Sequence, residues 1–145
     1  MCATYYARTS DHGYETCAEH LAMAGCLAGG FAQGFGYLDD GLLAGLFHDL
    51  GKYSDAFQRR IRNPDHCGPV DHSTAGALLL MRHVCPLAAM AVAGHHAGLP
   101  DLGSYGELEG PTFMSRMNRA RRAGDCNPLA LAQAGEAQLD IPQSA

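Results

Sequence analysis

The sequence predicts an all-α protein. Apolar residues recur at three- and four-residue steps in several segments, which is the period of an amphipathic helix. We find no sustained alternation of apolar and polar residues, so no strand is predicted. With 145 residues, 47% of them hydrophobic and 17% charged, the chain is expected to form one domain with a sizeable core.

The first predicted helix runs over Glu15–Phe35. Its apolar positions follow helical spacing at Leu21, Ala24, Ala28 and Phe31. The glycines within it either weaken the helix or allow another helix to approach closely. Asp39 and Asp40 are expected to cap a second helix over Gly41–Leu50, which Gly51 would end.

The second half of the chain is predicted to hold shorter helices. Ser54 should cap one that passes through Phe57 and Ile61. Pro and Gly mark Asn63–Val70 as a loop. Two further helices are predicted on either side of Pro86, which suits a first turn; they cover Ser73–Val84 and Leu87–Ala97.

The remainder is a loop, a last helix and a tail. Gly98–Gly110 is rich in Gly and Pro and should lie on the surface. Phe113–Ala123 is a candidate helix with a basic stretch from Arg116 to Arg122, which either follows a nucleic-acid backbone or is a solvated face. The segment 127–145 has little periodicity, so the expected domain boundary lies at residue 126.

Composition narrows the class of protein. No apolar run reaches the ~18 residues that a membrane span needs, and Met1–Ser10 does not read as a signal peptide. The six cysteines form no C-x-x-C pair, which argues against a zinc ribbon or a thioredoxin-type motif. We therefore expect reduced thiols in a cytoplasmic protein. The net charge of −5 argues against a broad basic surface for nucleic acid.

The candidate functional residues lie at the ends of the predicted helices. The stretch L-F-H-D-L-G-K carries His48 and Asp49 side by side, and the other candidates are His20, His72, His95 and His96. Each histidine alone has a structural explanation, as a core residue, a cap neighbour or a compensation of the helix dipole. Together they form a set of nitrogen and oxygen ligands without thiolate, which favours Fe, Mn, Ni, Co or Zn. Six ligands suit two ions that share a bridging carboxylate. His12, His66 and His83 lack such a context and are expected on the surface.

These motifs resemble the HD superfamily of metal-dependent phosphohydrolases. More narrowly, the chain is similar to the HD nuclease domain of type I CRISPR systems in four stretches: Y-Y-A, H-D-L-G-K-Y-S-D-A-F-Q, D-H-S-T-A-G-A and A-G-H-H-A-G-L-P. The resemblance extends from Tyr5 to Arg122, and the double histidine beside H-D-L-G-K is its most specific part. It implies a helical HD-domain bundle over 1–126, with a metal site between the helices.

The resemblance also implies roles for single residues. His20, His48 and Asp49 would hold one divalent metal ion. Asp49, His72, His95 and His96 would hold a second, with Asp49 bridging the two. Lys52 would contact the scissile phosphate or a metal-bound water, where negative charge builds up; otherwise it is a solvated lysine after a helix end. Ser73 is expected to be a helix cap or a partner of a ligand.

Two departures from the family pattern are visible. Members commonly carry a further Asp on a later helix, which completes the first metal site. After His96 this chain offers only Asp101, Asp125 and Asp140, none in a comparable context. We therefore expect a truncated domain, a fragment or a degenerate copy, in which the second metal site is intact and the first is incomplete. Arg8 stands where many members have a His.

The expected function is a metal-dependent nuclease for single-stranded DNA in type I CRISPR interference. Its partners would be the CRISPR surveillance complex and a helicase domain or subunit, because the sequence has no G-x-x-x-x-G-K-[ST] motif. No membrane partner is expected. Two alternatives remain open: an HD-type nucleotide or cyclic-nucleotide phosphohydrolase, and a catalytically impaired interaction module.

Overall fold

The computed structural model confirms the predicted helical class. It describes residues 4–11, 13–83, 85–124 and 130–131. Two antiparallel strands, β1 (Tyr6–Ser10) and β2 (Gly13–Thr16), precede the helices. The helices are α1 (Cys17–Gln33), α2 (Leu38–Phe47), α3 (Asp55–Arg62), α4 (Thr74–Arg82), α5 (Pro86–Gly94) and α6 (Phe113–Ala123).

The hairpin of β1 and β2 corrects the expectation that no strand would form. Two strands this short are marginally stable on their own, and the sequence pattern did not reveal them. The structure shows what supports them. The buried Gln58 side chain on α3 accepts from the Tyr6 amide at 3.1 Å and donates to the Tyr6 carbonyl at 2.9 Å and to the Lys52 carbonyl at 2.7 Å. Tertiary contacts therefore complete the hairpin.

A capping box formed by Thr16 and Glu19 marks the start of helix α1. Thr16 Oγ1 accepts from the Glu19 amide at 3.2 Å, and the Glu19 carboxylate accepts from the Thr16 amide. The predicted core position at Leu21 is confirmed, but Phe31 is 76% exposed, so its placement on the core face was wrong. Glycines supply the contact with α2 instead. A Cβ on Gly45 would lie 2.4 Å from the Ala24 carbonyl oxygen, so the two helices meet backbone to backbone.

Helix α2 starts and ends earlier than its pattern indicated. It begins at Leu38, so Asp39 and Asp40 lie in its first turn, where they complement the helix dipole rather than cap the helix. It ends at Phe47, and a 3-10 helix follows over Leu50–Tyr53. Gly51 therefore lies inside the next element and does not terminate α2. The two residues between these elements, His48 and Asp49, therefore belong to neither helix.

The shorter helices follow the prediction closely. Ser54 Oγ accepts from the Phe57 amide at 3.3 Å at the start of α3, and Pro86 occupies the first turn of α5. The bounds of α6 agree with the predicted ones, and the loop predicted over Asn63–Val70 contains one 3-10 turn, Pro64–His66. Residues 98–112 form neither helix nor strand, which confirms the loop predicted over Gly98–Gly110.

The core consists of two clusters that meet at α4. One lies between α4, α5 and α6, with Leu80, Val92, Phe113 and Met117 among its most buried members. The other joins the hairpin, the start of α1 and the 3-10 helix through Leu21, Leu50 and Tyr53. Phe47 packs against both clusters. The end of α2 is thus held from two sides directly before His48.

Two predictions concern the chain as a whole. Among the described residues, no helix is long and apolar enough to cross a membrane. The domain boundary at residue 126 lies outside the described residues, as does nearly all of the tail, and both stay predictions.

Candidate metal centre

Asp49 lies at the centre of the candidate site. It occupies the turn between α2 and the following 3-10 helix, and only 3% of its surface is exposed. Burial raises the pKa of Asp49, but the hydrogen bonds that His20 and His48 donate in their protonated forms outweigh it and hold the pKa well below its usual range. Asp49 is therefore a buried carboxylate that stays ionised.

The predicted histidines reach Asp49 from four places in the fold. His20 lies near the start of α1, and His48 is the C-cap residue of α2. His72 precedes α4 by two residues, and the pair His95–His96 directly follows α5. We call these five residues and Asp49 the Asp49 cluster. The structure thus brings together all six residues that the sequence proposed as ligands.

His20 and His48 surround one oxygen of the carboxylate. His20 Nε2 lies 3.0 Å and His48 Nε2 3.1 Å from Asp49 Oδ2. The two Nε2 atoms are 3.2 Å apart. These three residues form the first group, with one ligand atom from each within 4.8 Å of the others.

The remaining histidines face the other oxygen. His95 Nε2 lies 3.3 Å and His72 Nε2 3.4 Å from Asp49 Oδ1. His96 Nε2 approaches His72 Nε2 to 2.7 Å. Asp49, His72, His95 and His96 form the second group, whose ligand atoms also lie within 4.8 Å of one another. The carboxylate therefore faces one group with each oxygen, as a bridging ligand would.

The backbone fixes which ring nitrogen faces the centre. Nδ1 of His48 lies 2.8 Å from the Gly45 carbonyl, Nδ1 of His95 lies 2.7 Å from the Val92 carbonyl and Nδ1 of His72 lies 3.0 Å from the Val70 carbonyl. A carbonyl oxygen can only accept, so each Nδ1 carries the proton. In the neutral ring, Nε2 then presents a lone pair toward Asp49, which is the arrangement of metal-ligating histidines.

The donor set fits a divalent transition metal. Asp49 Oδ1 is buried and has no hydrogen-bond donor among the described residues. Leaving a buried charged acceptor without a partner is costly. Converging lone pairs repel one another, so a cation between them would satisfy both the histidines and Oδ1. Imidazole nitrogens and a carboxylate suit Fe, Mn, Ni, Co or Zn.

Lys52 places a cationic side chain beside the Asp49 cluster. Its Nζ lies 2.6 Å from Asp49 Oδ2, and the side chain is only 12% exposed. The ammonium also lies 5.5 Å from the centre of the Phe57 ring, and that ring packs edge-on against His72. Lys52 is therefore largely buried, and the alternative of a solvated lysine after a helix end was wrong. Its ammonium lies beside the cluster, in an ion pair with Asp49.

Gly51 explains the spacing of the H-D-L-G-K motif. Its amide donates to the His72 carbonyl at 2.9 Å. A Cβ at this position would lie 2.5 Å from His72 Cα, closer than real contacts allow. Gly51 therefore lets the 3-10 helix contact the backbone of His72. The prediction from sequence, that Gly51 ends a helix, did not include this role.

A second layer of polar residues supports the start of α4. Ser73 occupies the N-cap position, but its side chain makes no capping hydrogen bond, so the cap alternative was wrong, while the role of a ligand's partner stays a prediction. The Asp71 carboxylate instead accepts from the Ser73 and Thr74 amides, both at 3.1 Å. Arg116 on α6 contacts this carboxylate from the other side. The D-H-S-T motif carried a signal for Asp71 as a cap, whereas nothing local pointed to Arg116.

Other sequence candidates lie away from the cluster or cannot be placed. Neither group contains Asp101, and His66 and His83 are exposed, as predicted. His12, Asp125 and Asp140 lie outside the described residues. Within the described part of the chain, the first group therefore offers three ligands and the second offers four, with Asp49 counted in both.

Comparison with known proteins supports a family assignment. The family model for the HD domain matches residues 17–128, which includes every member of the Asp49 cluster and Lys52. No curated protein matches the chain. HD domains are typically metal-dependent phosphohydrolases that bind divalent metals, in agreement with the donor set found here. Because the match covers well over half of the sequence, the chain belongs to the HD domain family.

Proposed function

We propose that this HD domain is a metal-dependent phosphodiesterase that cuts single-stranded DNA in type I CRISPR interference. The observation that carries the phosphodiesterase activity is the pair of ligand groups on the two oxygens of Asp49. The four stretches of sequence similar to CRISPR-associated HD nucleases support the finer assignment.

The chemistry divides between bound metal and protein. Divalent ions in these groups would polarise the phosphate and supply an activated water. Asp49 would hold the two groups at a fixed separation, and each histidine whose Nδ1 is bonded to the backbone keeps Nε2 aimed inward. Lys52 brings a positive charge within reach of the same centre, where it would stabilise the charge that builds on the phosphoryl oxygens.

Access supports a single strand as substrate. His95 and His96 lie at an exposed helix end, so the second group opens directly to solvent. A flexible single strand can bring its backbone into such a site, whereas a duplex would first have to be opened. We propose that a surveillance complex and a helicase domain or subunit supply the opened strand. We also propose a cytoplasmic location, which the free cysteines at 17, 26, 67 and 85 support.

The test compares substrates under defined metals. The chain is stripped of metal and reloaded with Mn, Co, Ni, Fe or Zn, then offered single-stranded DNA, blunt duplex, mononucleotides and cyclic nucleotides. We expect metal-dependent cleavage with preference for the single strand, lost in Asp49→Ala and kept in Asp55→Ala, a change at an exposed position. Faster hydrolysis of mononucleotides or cyclic nucleotides would support the alternative phosphohydrolase. Full activity in excess chelator would contradict the metal mechanism.

One observation favours a second candidate, a catalytically impaired interaction module. The first group has only His20, His48 and Asp49 among the described residues. The oxygen of Asp49 that faces this group, Oδ2, is also paired with the Lys52 ammonium. A nuclease that needs two ions would be slow if this group bound weakly. Metal binding at the second group without cleavage of any substrate, together with retention of a surveillance complex, would establish this candidate instead.

A further inference from the structure

We propose that Arg116 is the positioning residue of the second ligand group. It would hold the segments that carry His72 and the His95–His96 pair in the relative placement that metal binding requires. The proposal deepens the proposed function, because it rests on that group being a metal site.

Each nitrogen of the Arg116 guanidinium is engaged. Nε donates to Thr74 Oγ1 at 2.7 Å, and Nη1 donates to the Ala93 carbonyl at 2.7 Å. Nη2 donates to Ser73 Oγ at 2.6 Å and to both oxygens of Asp71, at 3.1 and 3.2 Å. Arginine presents its donors in a rigid planar fork, so these partners are held in one fixed arrangement.

The partners flank the ligands along the chain. Asp71 and Ser73 are the two neighbours of His72. Ala93 lies in the last turn of α5, two residues before His95, so its carbonyl belongs to the turn that aims both following histidines. A single side chain therefore connects the side chains on both sides of His72 with the backbone of the helix end that precedes His95 and His96.

The base of Arg116 is itself well anchored. Its helix neighbours Ser115 and Met117 are fully buried, and Ser115 Oγ donates to the Gly110 carbonyl at 2.7 Å. Helix α6 contributes no ligand to either group, and its apolar face packs against α4 and α5 in the core. The Arg116 guanidinium adds hydrogen bonds from α6 to the residues beside the candidate ligands.

The same contacts argue against the earlier alternatives for Arg116. A residue that follows a nucleic-acid backbone needs free donors, and a solvated residue needs none of these partners. Its ion pair with Asp71 is partly exposed, with side-chain exposures of 30% and 54%, so charge attraction alone would contribute little. We therefore attribute the role of Arg116 to the fixed relative positions in which it holds its hydrogen-bond partners.

A matched pair of variants tests the role. Arg119 lies one turn further along α6 and donates to the Leu108 and Gly110 carbonyls and to Ser115 Oγ, without contacting α4 or α5 through the hydrogen bonds identified. Arg116→Lys and Arg119→Lys both keep the charge but replace the planar guanidinium fork with a single ammonium. Metal-free protein of each is titrated with Co²⁺ while the visible absorption of the bound ion is recorded, and thermal melting of the metal-free forms is measured alongside.

The expected result is a loss of affinity specific to Arg116. Residues that support metal ligands typically change metal affinity about 10- to 100-fold when substituted. We expect Arg116→Lys to weaken Co²⁺ binding by at least ~10-fold and to change the absorption of the bound ion, whereas Arg119→Lys keeps both. Asp71→Asn, which keeps an acceptor for the α4 amides, should show a smaller loss and serves if Arg116→Lys does not fold.

Three results would overturn the proposal. Arg116→Lys and Asp71→Asn could bind Co²⁺ with the wild-type affinity and spectrum. The Arg116 and Arg119 variants could lose affinity and melting temperature in parallel, which would indicate a purely structural role. If the wild-type chain bound no metal, the proposed function would fail first and this proposal with it, so the two failures are distinguishable.

Discussion

Removing Asp49 should abolish the stabilisation that metal gives this chain. A ligand that binds only the folded state stabilises it by about 2.7 kcal/mol at a concentration 100 times its dissociation constant. For a domain of this length, ~1 kcal/mol corresponds to ~3 °C in melting temperature. Wild-type protein should therefore melt about 8 °C higher with saturating metal than without it.

Asp49→Ala should lose nearly all of that shift, because the carboxylate belongs to both ligand groups. The comparison is made within each variant, with and without metal, so it does not depend on the metal-free stability. That stability should itself fall, since Lys52, whose side chain is 12% exposed, would lose its ion-pair partner. Asp55→Ala is the matched control at an exposed position and should keep the full shift.

The assay is differential scanning fluorimetry, with bound metal measured by elemental analysis after gel filtration. A metal-dependent shift of wild-type size in Asp49→Ala, with unchanged metal content, would refute the reasoning that the carboxylate bridges the two groups. An equal loss in Asp55→Ala would indicate a general effect of removing acidic charge.

Three further predictions follow from single contacts. Gly51→Ala should weaken metal binding, because its Cβ would lie 2.5 Å from His72 Cα, whereas Gly68→Ala, with nothing within 4 Å, should be tolerated; metal titration of both variants checks this. Burial raises the pKa of the Cys17 thiol to about 12, so the thiolate is scarce below that pH and native Cys17 should resist alkylation at pH 8, while exposed Cys26 reacts; mass spectrometry of alkylated peptides decides. Metal affinity should fall as the pH drops, since the histidine ligands must lose their protons to bind; affinity that is constant from pH 8 to pH 5.5 would contradict histidine ligation.

The sequence singled out most of the Asp49 cluster because four of its members follow apolar helical runs. His48 and Asp49 follow an apolar helical run, and His95 and His96 follow another, so their positions at helix ends could be inferred without knowing how the helices pack. The bounds of α6 also agree with the predicted ones, and the structure shows that Thr112 caps its start and Gly124 ends it with φ 66°.

The features that could not be predicted from the sequence depend on partners that are distant along the chain. The hairpin needs Gln58, which is 52 residues from Tyr6. Arg116 lies more than 40 residues from the Asp71 and Ser73 side chains that it binds. Phe31 fits the helical period of a core position, yet the contact with α2 uses the glycine side of α1 and leaves Phe31 outside. Periodicity assigns faces to a helix, but only packing decides which face is used.

The two oxygens of Asp49 differ in a way that ranks the ligand groups. Oδ2 has the Lys52 ammonium at 2.6 Å, so its charge is already balanced within the protein. Oδ1 has no hydrogen-bond donor among the described residues and faces His72 and His95.

A cation entering the second group would therefore satisfy an acceptor that the protein leaves unpaired, whereas one entering the first group would have to share Oδ2 with Lys52. Like charges in a buried site repel strongly. The second group also offers one more ligand than the first among the described residues. Both the charge balance and the ligand count favour filling the second group first, which agrees with the expectation from sequence that the first site is the incomplete one.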